Sequence, residues 1–357
     1  MADIAIKLSE NRKSIPTTDE LGFGVHFSDH MLVMDYNLEK GWHDTRIEPY
    51  GPFQIDPSMM ALHYGQAVFE GMKAFRASDG HINLFRARDH FRRFNDSARR
   101  VCIPEVDVEE LFAGLKKLLK IDNQWVPAAH GTALYIRPFI FATDHFLGVR
   151  PSHTYKLMII LSPVGAYYAE GFNPVKIMVE DEYVRAVCGG LGAIKTPGNY
   201  AASLLSAVKA QKQGFTQVLW LDAHELKWLE EVGTMNIMVK IDDEVITPPL
   251  NGSILPGMTR DSTIKILKNW DVPIVEKQIS IDEVMQAGSD GRLQEMFGTG
   301  TAAVISPVGS IHYQDKDSII NNGEVGELSQ KLFDEITGTQ YGTQADVNNW
   351  IDIVKVS

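Results

Sequence analysis

The stretch Gly189-Gly190-Leu191-Gly192-Ala193-Ile194-Lys195-Thr196-Pro197-Gly198-Asn199-Tyr200 places a lysine among four glycines within ten residues. Glycine lets main chain come close to a ligand, which distinguishes this segment from an ordinary surface turn. About one helix and one strand later follows Glu231-Val232-Gly233-Thr234-Met235-Asn236. Pyridoxal phosphate requires a lysine amine that reaches a carbonyl carbon and an acid opposite the pyridine nitrogen. Lys195 and Glu231 are therefore candidates for these two roles.

Two other interpretations of Lys195 compete with this one. Most lysines are solvated surface residues, and a loop position alone favours that interpretation. The second is a phosphate-binding loop of the Walker type, which needs glycine immediately before Lys-Ser/Thr. Ile194 occupies that place, so the Walker pattern fails at the position where its tight turn needs it.

Composition limits the classes of protein and partner. A chain of 357 residues predicts two domains, and a hydrophobic content of 44% fits a globular protein. The formal charge of −12 argues against nucleic acid or an anionic membrane as a general partner. Any anion site must therefore be local.

Cysteine usage and the N-terminus bear on location. Two cysteines, Cys102 and Cys188, form no disulfide framework and suit a reducing compartment. The segment Met1 to Lys7 lacks both the apolar core of a signal peptide and an Arg/Ser-rich presequence, and no run of about 18 apolar residues occurs. We expect a cytoplasmic protein that does not span a membrane.

The first half of the chain contains an irregular leader, two helices and several strands. We expect the leader to cover residues 1 to about 55, and we expect no metal at its His26, Asp29 and His30 because a second His/Cys cluster is missing. The arginines between Arg86 and Arg100 alternate with aromatic residues at helical spacing, which predicts an amphipathic helix with solvated or paired arginines. Further predictions are a helix at Val108 to Lys120 and strands at Thr132 to Ala142 and Tyr155 to Leu161.

A change in composition predicts the domain boundary. Glycine, asparagine and proline gather between Gly165 and Pro174, so we place a linker at 169–175, between a smaller domain (1–168) and a larger one (176–357). The larger domain alternates strands and helices, which predicts a mixed α/β protein. The predicted elements are strands at Lys176 to Val179, Gln217 to Leu221 and Met235 to Lys240, and helices at Tyr200 to Gln213, after Ser280 and at Glu327 to Ile336.

A third segment, Pro256-Gly257-Met258-Thr259-Arg260-Asp261, precedes a helical pattern through Ile264, Leu267 and Trp270. A helix start offers free backbone N–H groups and the positive end of the helix dipole to an anion. The residues alone leave two possibilities open, a phosphate site or a helix that Thr259 merely caps.

An ordered set of motifs closely resembles the fold-type IV aminotransferases and, among them, the branched-chain amino acid aminotransferases. The resemblance runs almost from end to end. The motifs are His63-Tyr64, Phe69 to Phe75, Leu84-Phe85-Arg86 with Arg93, Tyr135-Ile136-Arg137-Pro138, Ser162 to Tyr167, Lys195 to Tyr200, Gln217 to Leu221, Glu231 to Asn236, Leu255 to Arg260 and Gly298 to Ala302. The resemblance implies a smaller α+β domain and a larger pseudo-barrel domain with pyridoxal 5′-phosphate between them, and a homodimer whose substrate pocket is completed by the neighbouring subunit.

The resemblance also assigns roles to individual residues. Lys195 becomes the catalytic lysine, and Glu231 holds the ring nitrogen. The other implied cofactor contacts are Arg93, Tyr200, Thr234, Met258, Thr259 and Thr299. Residues implied to contact the amino acid or 2-oxo acid are Tyr64, Phe69, Tyr135, Arg137, Tyr167, Thr301 and Ala302.

The implied activity is amino transfer between leucine, isoleucine or valine and 2-oxoglutarate, in two half-reactions. Relatives with similar residues around the lysine and glutamate leave a D-amino acid aminotransferase or an aminodeoxychorismate lyase as alternatives. The Phe69 to Phe75 motif, Tyr135 to Pro138 and the chain length favour the branched-chain type. A cofactor-binding protein without activity is a third possibility, against which the presence of Lys195, Tyr200 and Glu231 argues.

Overall fold

The structure, a computed structural model, describes residues 4–165 and 172–356. They form two compact units, one of residues 4–165, 195–197 and 338–356, and one of residues 172–194 and 198–337. The predicted linker at 169–175 lies partly outside the described residues, so that boundary stays a prediction. The C-terminal segment was expected with the larger domain, but it belongs to the first unit because its strand Ile351–Val354 pairs with Ile82–Phe85.

The first unit is built on a mostly antiparallel sheet. Its described strands are β1 (Ala5–Ile6), β2 (His30–Asn37), β3 (Gly41–Pro49), β4 (Ala67–Phe69), β5 (Met72–Arg76), β6 (Ile82–Phe85), β7 (Ala133–Ala142), β8 (Thr154–Val164) and β18 (Ile351–Val354). They are ordered β1-β3-β2-β8-β7-β5-β6-β18, and β4 also pairs with β7. The predicted strands at Thr132 to Ala142 and Tyr155 to Leu161 are confirmed as β7 and β8.

The prediction of an irregular leader over residues 1–55 is wrong for its second half, which contains β2 and β3. The apolar run Met31 to Met34 is buried, and the turn after Asn37 lets β3 return along β2. The polar residues that flank this apolar run made β2 difficult to predict from the sequence. His30 is itself buried. Its backbone N–H and its ring both form hydrogen bonds with the Asp122 carboxylate, which satisfies these polar groups.

Three helices among the described residues accompany this sheet: α1 (Met60–Tyr64), α2 (Ala87–Arg100) and α3 (Val108–Ile121). The amphipathic helix predicted at Val108 to Lys120 is confirmed as α3, which Asp107 caps by accepting a hydrogen bond from the Glu110 N–H. The arginine-rich helix is confirmed as α2. Its arginines form ion pairs as expected, among them Arg88 with Glu109 and Arg99 with Glu105.

Strands of the second unit form a closed ring. The described strands are β9 (Val175–Glu180), β10 (Gln217–Leu221), β11 (Leu229–Val232), β12 (Met235–Ile241), β13 (Glu244–Thr247), β14 (Ile274–Glu276), β15 (Leu293–Gly300), β16 (Val304–Tyr313) and β17 (Lys316–Ile319). The order β11-β10-β9-β16-β15-β12 closes because β11 also pairs with β12. This ring is the expected pseudo-barrel, and the mixed α+β fold class is confirmed.

The helices in the second half of the chain are α4 (Pro197–Lys212), α5 (Met258–Asn269), α6 (Ile281–Ser289) and α7 (Glu327–Tyr341). Short 3-10 helices occur at Thr18–Glu20, Asn123–Trp125 and Asn321–Gly323. The capping box predicted before α6 is confirmed: the Ser280 hydroxyl accepts from the Glu283 N–H, and the Glu283 carboxylate accepts from the Ser280 N–H. Among the described residues, no helix combines the length and apolarity needed to cross a membrane.

Candidate active site

Backbone hydrogen bonds fix Lys195 within the first unit. The Phe69 N–H donates to the Lys195 carbonyl at 3.1 Å, and the Lys195 N–H donates to the Ser97 hydroxyl at 3.0 Å. The Thr196 hydroxyl donates to the Ala67 carbonyl at 2.8 Å. Lys195 is thus held against β4 and α2, two elements that lie far from it along the chain.

The Lys195 amine lies 4.9 Å from the centroid of the Phe69 ring. Burial is the main reason why the pKa of Lys195 lies below its ordinary value; nearby Glu70 opposes this shift and Arg93 adds to it. A lowered pKa increases the fraction of neutral amine near pH 7, and the neutral amine is the nucleophile. This environment separates Lys195 from the solvated loop lysine that composition alone favours.

Arg93, on α2, belongs to a buried cluster of titratable side chains together with His90 and Glu70. Its Nε donates to Glu70 Oε1 at 2.7 Å and its Nη2 to Glu70 Oε2 at 3.0 Å, while His90 Nδ1 lies 2.9 Å from Oε2. Burial would raise the pKa of Glu70, but Arg93 and His90 outweigh it and hold that pKa well below its usual range. Burial also keeps the pKa of His90 below its ordinary value. Sequence reasoning assigned Arg93 to the cofactor and overlooked its carboxylate partner.

Replacing Glu70 by glutamine is expected to lower the free energy of unfolding by about 3–5 kcal/mol, because it leaves the Arg93 charge buried without its counter-ion. Since the folded-state pKa of Glu70 is depressed, its stabilising effect is complete above the pKa of glutamate in the unfolded chain and is lost as the pH falls toward the folded-state value. Urea denaturation at pH 7 measures the change. Glu105→Gln, which removes an exposed partner of Arg99, should leave the urea midpoint nearly unchanged; equal effects of the two substitutions would contradict this account of Glu70.

Three of the predicted substrate residues share one face of the first sheet. The Arg137 guanidinium lies 4.7 Å from the Phe69 ring centroid and 5.2 Å from that of Tyr135, and Nη2 donates to the Tyr135 hydroxyl at 3.0 Å. Arg137 Nε is buried and has no hydrogen-bond partner among the described residues. The Tyr135 hydroxyl lies where a Cβ on Gly71 would be, so only glycine fits there. A buried donor of this kind suits a carboxylate.

The other two predicted substrate residues of the first half are placed differently. Tyr64 ends α1 with 41% of its surface exposed, and its hydroxyl donates to the Leu147 carbonyl. Tyr167 lies outside the described residues.

Glu231 lies on β11 in a row of paired residues that crosses the second unit's barrel. It faces Asn236 on β12, which in turn faces Thr299 on β15. Directly paired residues point to the same side of a sheet, so these three side chains share a face. Glu231 Oε1 accepts from the Leu255 N–H at 2.8 Å, and Oε2 lies 3.2 Å from Arg185 Nε. Arg185 was absent from the sequence predictions.

The start of α5 is a candidate phosphate site. Gly257 is its N-cap residue, Met258 and Thr259 form its first turn, and Thr259 is buried. A Cβ on Gly257 would lie 2.0 Å from Asn236 Oδ1, so the close approach of this turn to β12 requires glycine. On the same row, Thr299 Oγ1 is buried and has no hydrogen-bond partner among the described residues. The N-terminal N–H groups of a helix and an unsatisfied hydroxyl suit a phosphate.

Tyr200 and Thr234 line one small pocket of the second unit together with Glu231, Arg185 and Leu255. Tyr200 lies in the first turn of α4 and is half-buried, whereas Thr234 is exposed in the turn between β11 and β12. The half-buried Thr301 and Ala302 form the turn between β15 and β16. The structure therefore groups the predicted residues into clusters within each unit.

Two residues that the predictions missed carry a signal in the sequence. Glu70 interrupts the apolar run Val68-Phe69-Glu70-Gly71-Met72, and Arg185 stands in Tyr183-Val184-Arg185-Ala186-Val187. A single charge inside an apolar run predicts a buried charge, which needs a partner. The partner itself cannot be read from either run.

The chain is similar in sequence to known proteins. Residues 67–311 match the family described as amino-transferase class IV. The chain belongs to that family. It is 56% identical, over 97% of its length and 96% of the relative's, to branched-chain-amino-acid aminotransferase 2 of Bacillus subtilis.

Solved structures agree with this placement. The branched-chain amino acid aminotransferase of Escherichia coli has a TM-score of 0.77 and 28% identity, over 92% of this chain and 99% of that one. A second branched-chain amino acid aminotransferase, solved with pyridoxamine 5′-phosphate, has a TM-score of 0.75 and 25% identity, over 91% of this chain and 98% of that one.

Proposed function

We propose that this chain is a branched-chain amino acid transaminase that moves the amino group reversibly between L-leucine, L-isoleucine or L-valine and 2-oxoglutarate. The observation that carries the proposal is 56% identity, over 97% of the chain, to an aminotransferase named for these substrates. The clusters around Lys195, Arg137 and Glu231 supply the side chains that the reaction needs.

The cofactor of the proposed reaction is pyridoxal 5′-phosphate. When bound, it supplies an aldehyde that combines with amines and a ring that withdraws electrons from the substrate α-carbon. We assign the phosphate to the first turn of α5 with Met258 and Thr259, to the buried Thr299 hydroxyl and to Arg93. We assign the ring nitrogen to Glu231, and the contacts around the ring to Tyr200 and Thr234.

Lys195 carries the covalent attachment and the proton transfers in this proposal. Its lowered pKa favours the neutral amine, which would hold the cofactor covalently and, once the substrate amine displaces it, would accept a proton from the substrate α-carbon. Once protonated, the same amine would act as the acid that completes the proton transfer. Glu231 holds a proton at the ring nitrogen during these steps.

The substrate residues combine an apolar wall with carboxylate donors. Phe69 and Tyr135 provide aromatic surface, and the half-buried Arg137 presents a guanidinium whose buried Nε lacks a partner among the described residues. We assign the remaining contacts to Tyr64, Tyr167, Thr301 and Ala302. A branched side chain gains free energy from the apolar wall, whereas the carboxylate of 2-oxoglutarate is stable there only beside a cation.

A panel of amino donors tests the proposed function. We expect L-leucine, L-isoleucine and L-valine to convert the bound cofactor to its amine form, and 2-oxoglutarate to reverse that conversion. D-Leucine should remain unreactive. Preference for D-amino acids, or release of pyruvate from aminodeoxychorismate, would replace the proposal with one of the two related activities.

We also propose a homodimer. An exposed apolar cluster in the first unit, consisting of Tyr64, Phe146, Leu147 and Val149, supports it, with exposed fractions of 41%, 42%, 63% and 85%. Exposed apolar clusters are typical of contact surfaces. Exposure of Tyr64 also agrees with its contributing to the pocket of a neighbouring subunit.

Sedimentation at assay concentration is expected to give twice the mass of the chain. Val149→Glu should shift the protein toward the monomer and reduce activity, because it places a charge in the apolar cluster. Leu38→Glu, which alters an exposed apolar residue outside the cluster, in the turn between β2 and β3, should leave the mass unchanged. A fully active wild-type monomer would contradict the proposal.

A cytoplasmic location is part of the same proposal. Cys102 and Cys188 are both free and exposed, which suits a compartment that keeps thiols reduced.

A further inference from the structure

We propose that Arg185 is a positioning residue that keeps Glu231 ionised and oriented, so that Glu231 can hold a proton at the ring nitrogen of the cofactor. This inference rests on the proposed function and deepens it. Arg185 acts through Glu231 and is assigned no contact with substrate.

The ion pair between the two side chains is buried and short. Arg185 Nε lies 3.2 Å from Glu231 Oε2, and the two side chains are 7% and 4% exposed. The Nε–H does not point along a hydrogen bond, so the attraction between the groups is mainly Coulombic. Little water screens a pair at this depth, and the guanidinium stays charged at every physiological pH.

Backbone carbonyls hold the other side of Arg185. Its Nη2 donates to the Ser253 carbonyl and lies 3.3 Å from the Gly192 carbonyl. A Cβ on Gly192 would lie 2.0 Å from the Ser253 oxygen, so this approach of two segments requires glycine. The Leu255 N–H at the end of the same turn donates to Glu231. Arg185 therefore joins β11, the turn 251–255 and the glycine-rich loop, and its guanidinium has little freedom to leave Glu231.

The charges around Glu231 make a cation necessary. Adjacent Glu230 is buried, and burial raises its pKa, although the Ser253 hydroxyl and Arg185 oppose the shift. The charges of Glu231 and of Asp222, which follows β10, raise the pKa of Glu230 further. The strand neighbours opposite Glu231 are the uncharged Trp220 and Asn236.

Glu180 lies beyond Trp220 in the same row, and its carboxylate accepts the Glu182 and Tyr183 N–H groups. Arg185 is thus a cation that offsets the neighbouring carboxylates and the burial of Glu231. Without it, Glu231 would retain a proton to higher pH.

The protonation state of Glu231 decides what it can do for the ring. As an anion it stabilises a proton on the nitrogen, and the protonated ring withdraws electrons. As a neutral acid it would keep the proton on its own oxygen and only donate a hydrogen bond to the nitrogen. Arg185 favours the first arrangement because its positive charge attracts the carboxylate anion and gains little from the neutral acid.

The test uses the purified protein without cofactor, labelled with carbon-13 at the glutamate carboxyls, and assigns Glu231 by comparison with Glu231→Gln. We expect wild-type Glu231 to be ionised near pH 7 despite its burial. Arg185→Gln should raise its titration midpoint by about 1–3 pH units, and Arg185→Lys should restore most of the shift. Arg260→Gln removes another buried arginine, paired with Glu276 and the Pro248 carbonyl, and should leave the midpoint unchanged.

A second readout uses cofactor labelled with nitrogen-15 in the ring. In Arg185→Gln the nitrogen signal should move toward that of an unprotonated pyridine, and in Arg185→Lys it should return. An unchanged Glu231 midpoint in folded Arg185→Gln would overturn the inference. If that variant does not fold, a wild-type Glu231 that is neutral near pH 7 would overturn it as well. Failure of the wild type to bind the cofactor would instead contradict the proposed function.

Discussion

Replacing Lys195 by alanine is expected to reduce kcat/KM for L-leucine by about four orders of magnitude. The substitution removes both the amine that we propose as the attachment point of the cofactor and the proposed base for the α-proton. That amine lies beside the Phe69 ring and desolvation lowers its pKa; water entering the space left by alanine would be a much weaker base. Absorbance and borohydride reduction should show cofactor bound without a covalent link.

The matched control is Lys209→Ala on α4. Lys209 is exposed and pairs with Glu182, so its loss should leave the rate and the covalent link unchanged. Covalently attached, borohydride-reducible cofactor in Lys195→Ala would assign the attachment to another residue.

Replacing Glu231 by glutamine is expected to lower the rate per bound cofactor by about 10²- to 10³-fold. Glutamine keeps the approximate shape but loses the negative charge that stabilises a protonated ring nitrogen. It also leaves Arg185 buried without its counter-ion, so the free energy of unfolding should fall as well. The rate must therefore be measured by single turnover and divided by the amount of cofactor bound.

Glu244→Gln is a suitable control because Glu244 is an exposed carboxylate of the same unit, paired with Lys277. Its single-turnover rate should match that of the wild type. An unchanged rate of α-proton abstraction in Glu231→Gln would remove Glu231 from the proposed mechanism.

Local signals predicted many elements of the fold well. The alternating and apolar runs of β7, β8, β10 and β12 and the capping box before α6 depend on residues close in sequence. The second half of the expected leader was wrong because His30 and Asp35 made a buried strand look polar. Each of them has a distant partner, Asp122 for His30 and Lys156 for Asp35, which no local pattern reveals.

The same distinction between local patterns and distant partners applies to the candidate site. Lys195 and Glu231 stand in motifs whose spacing is informative, so the sequence could single them out as candidates. The contacts that tune them come from residues far along the chain, such as Ser97 and Glu70 for Lys195, and Arg185 for Glu231. Closure of the barrel through the β11–β12 pairing is likewise a tertiary property, which here entered through the family resemblance.

The most direct test of the account is the transfer of nitrogen-15 from labelled L-leucine to unlabelled 2-oxoglutarate by the purified protein loaded with pyridoxal 5′-phosphate. The account predicts labelled glutamate in an amount equal to the 2-oxo acid formed from leucine, with no labelled ammonium, and no product from Lys195→Ala. Labelled glutamate that forms only when the labelled donor is D-leucine, or label released as ammonium, would contradict the account.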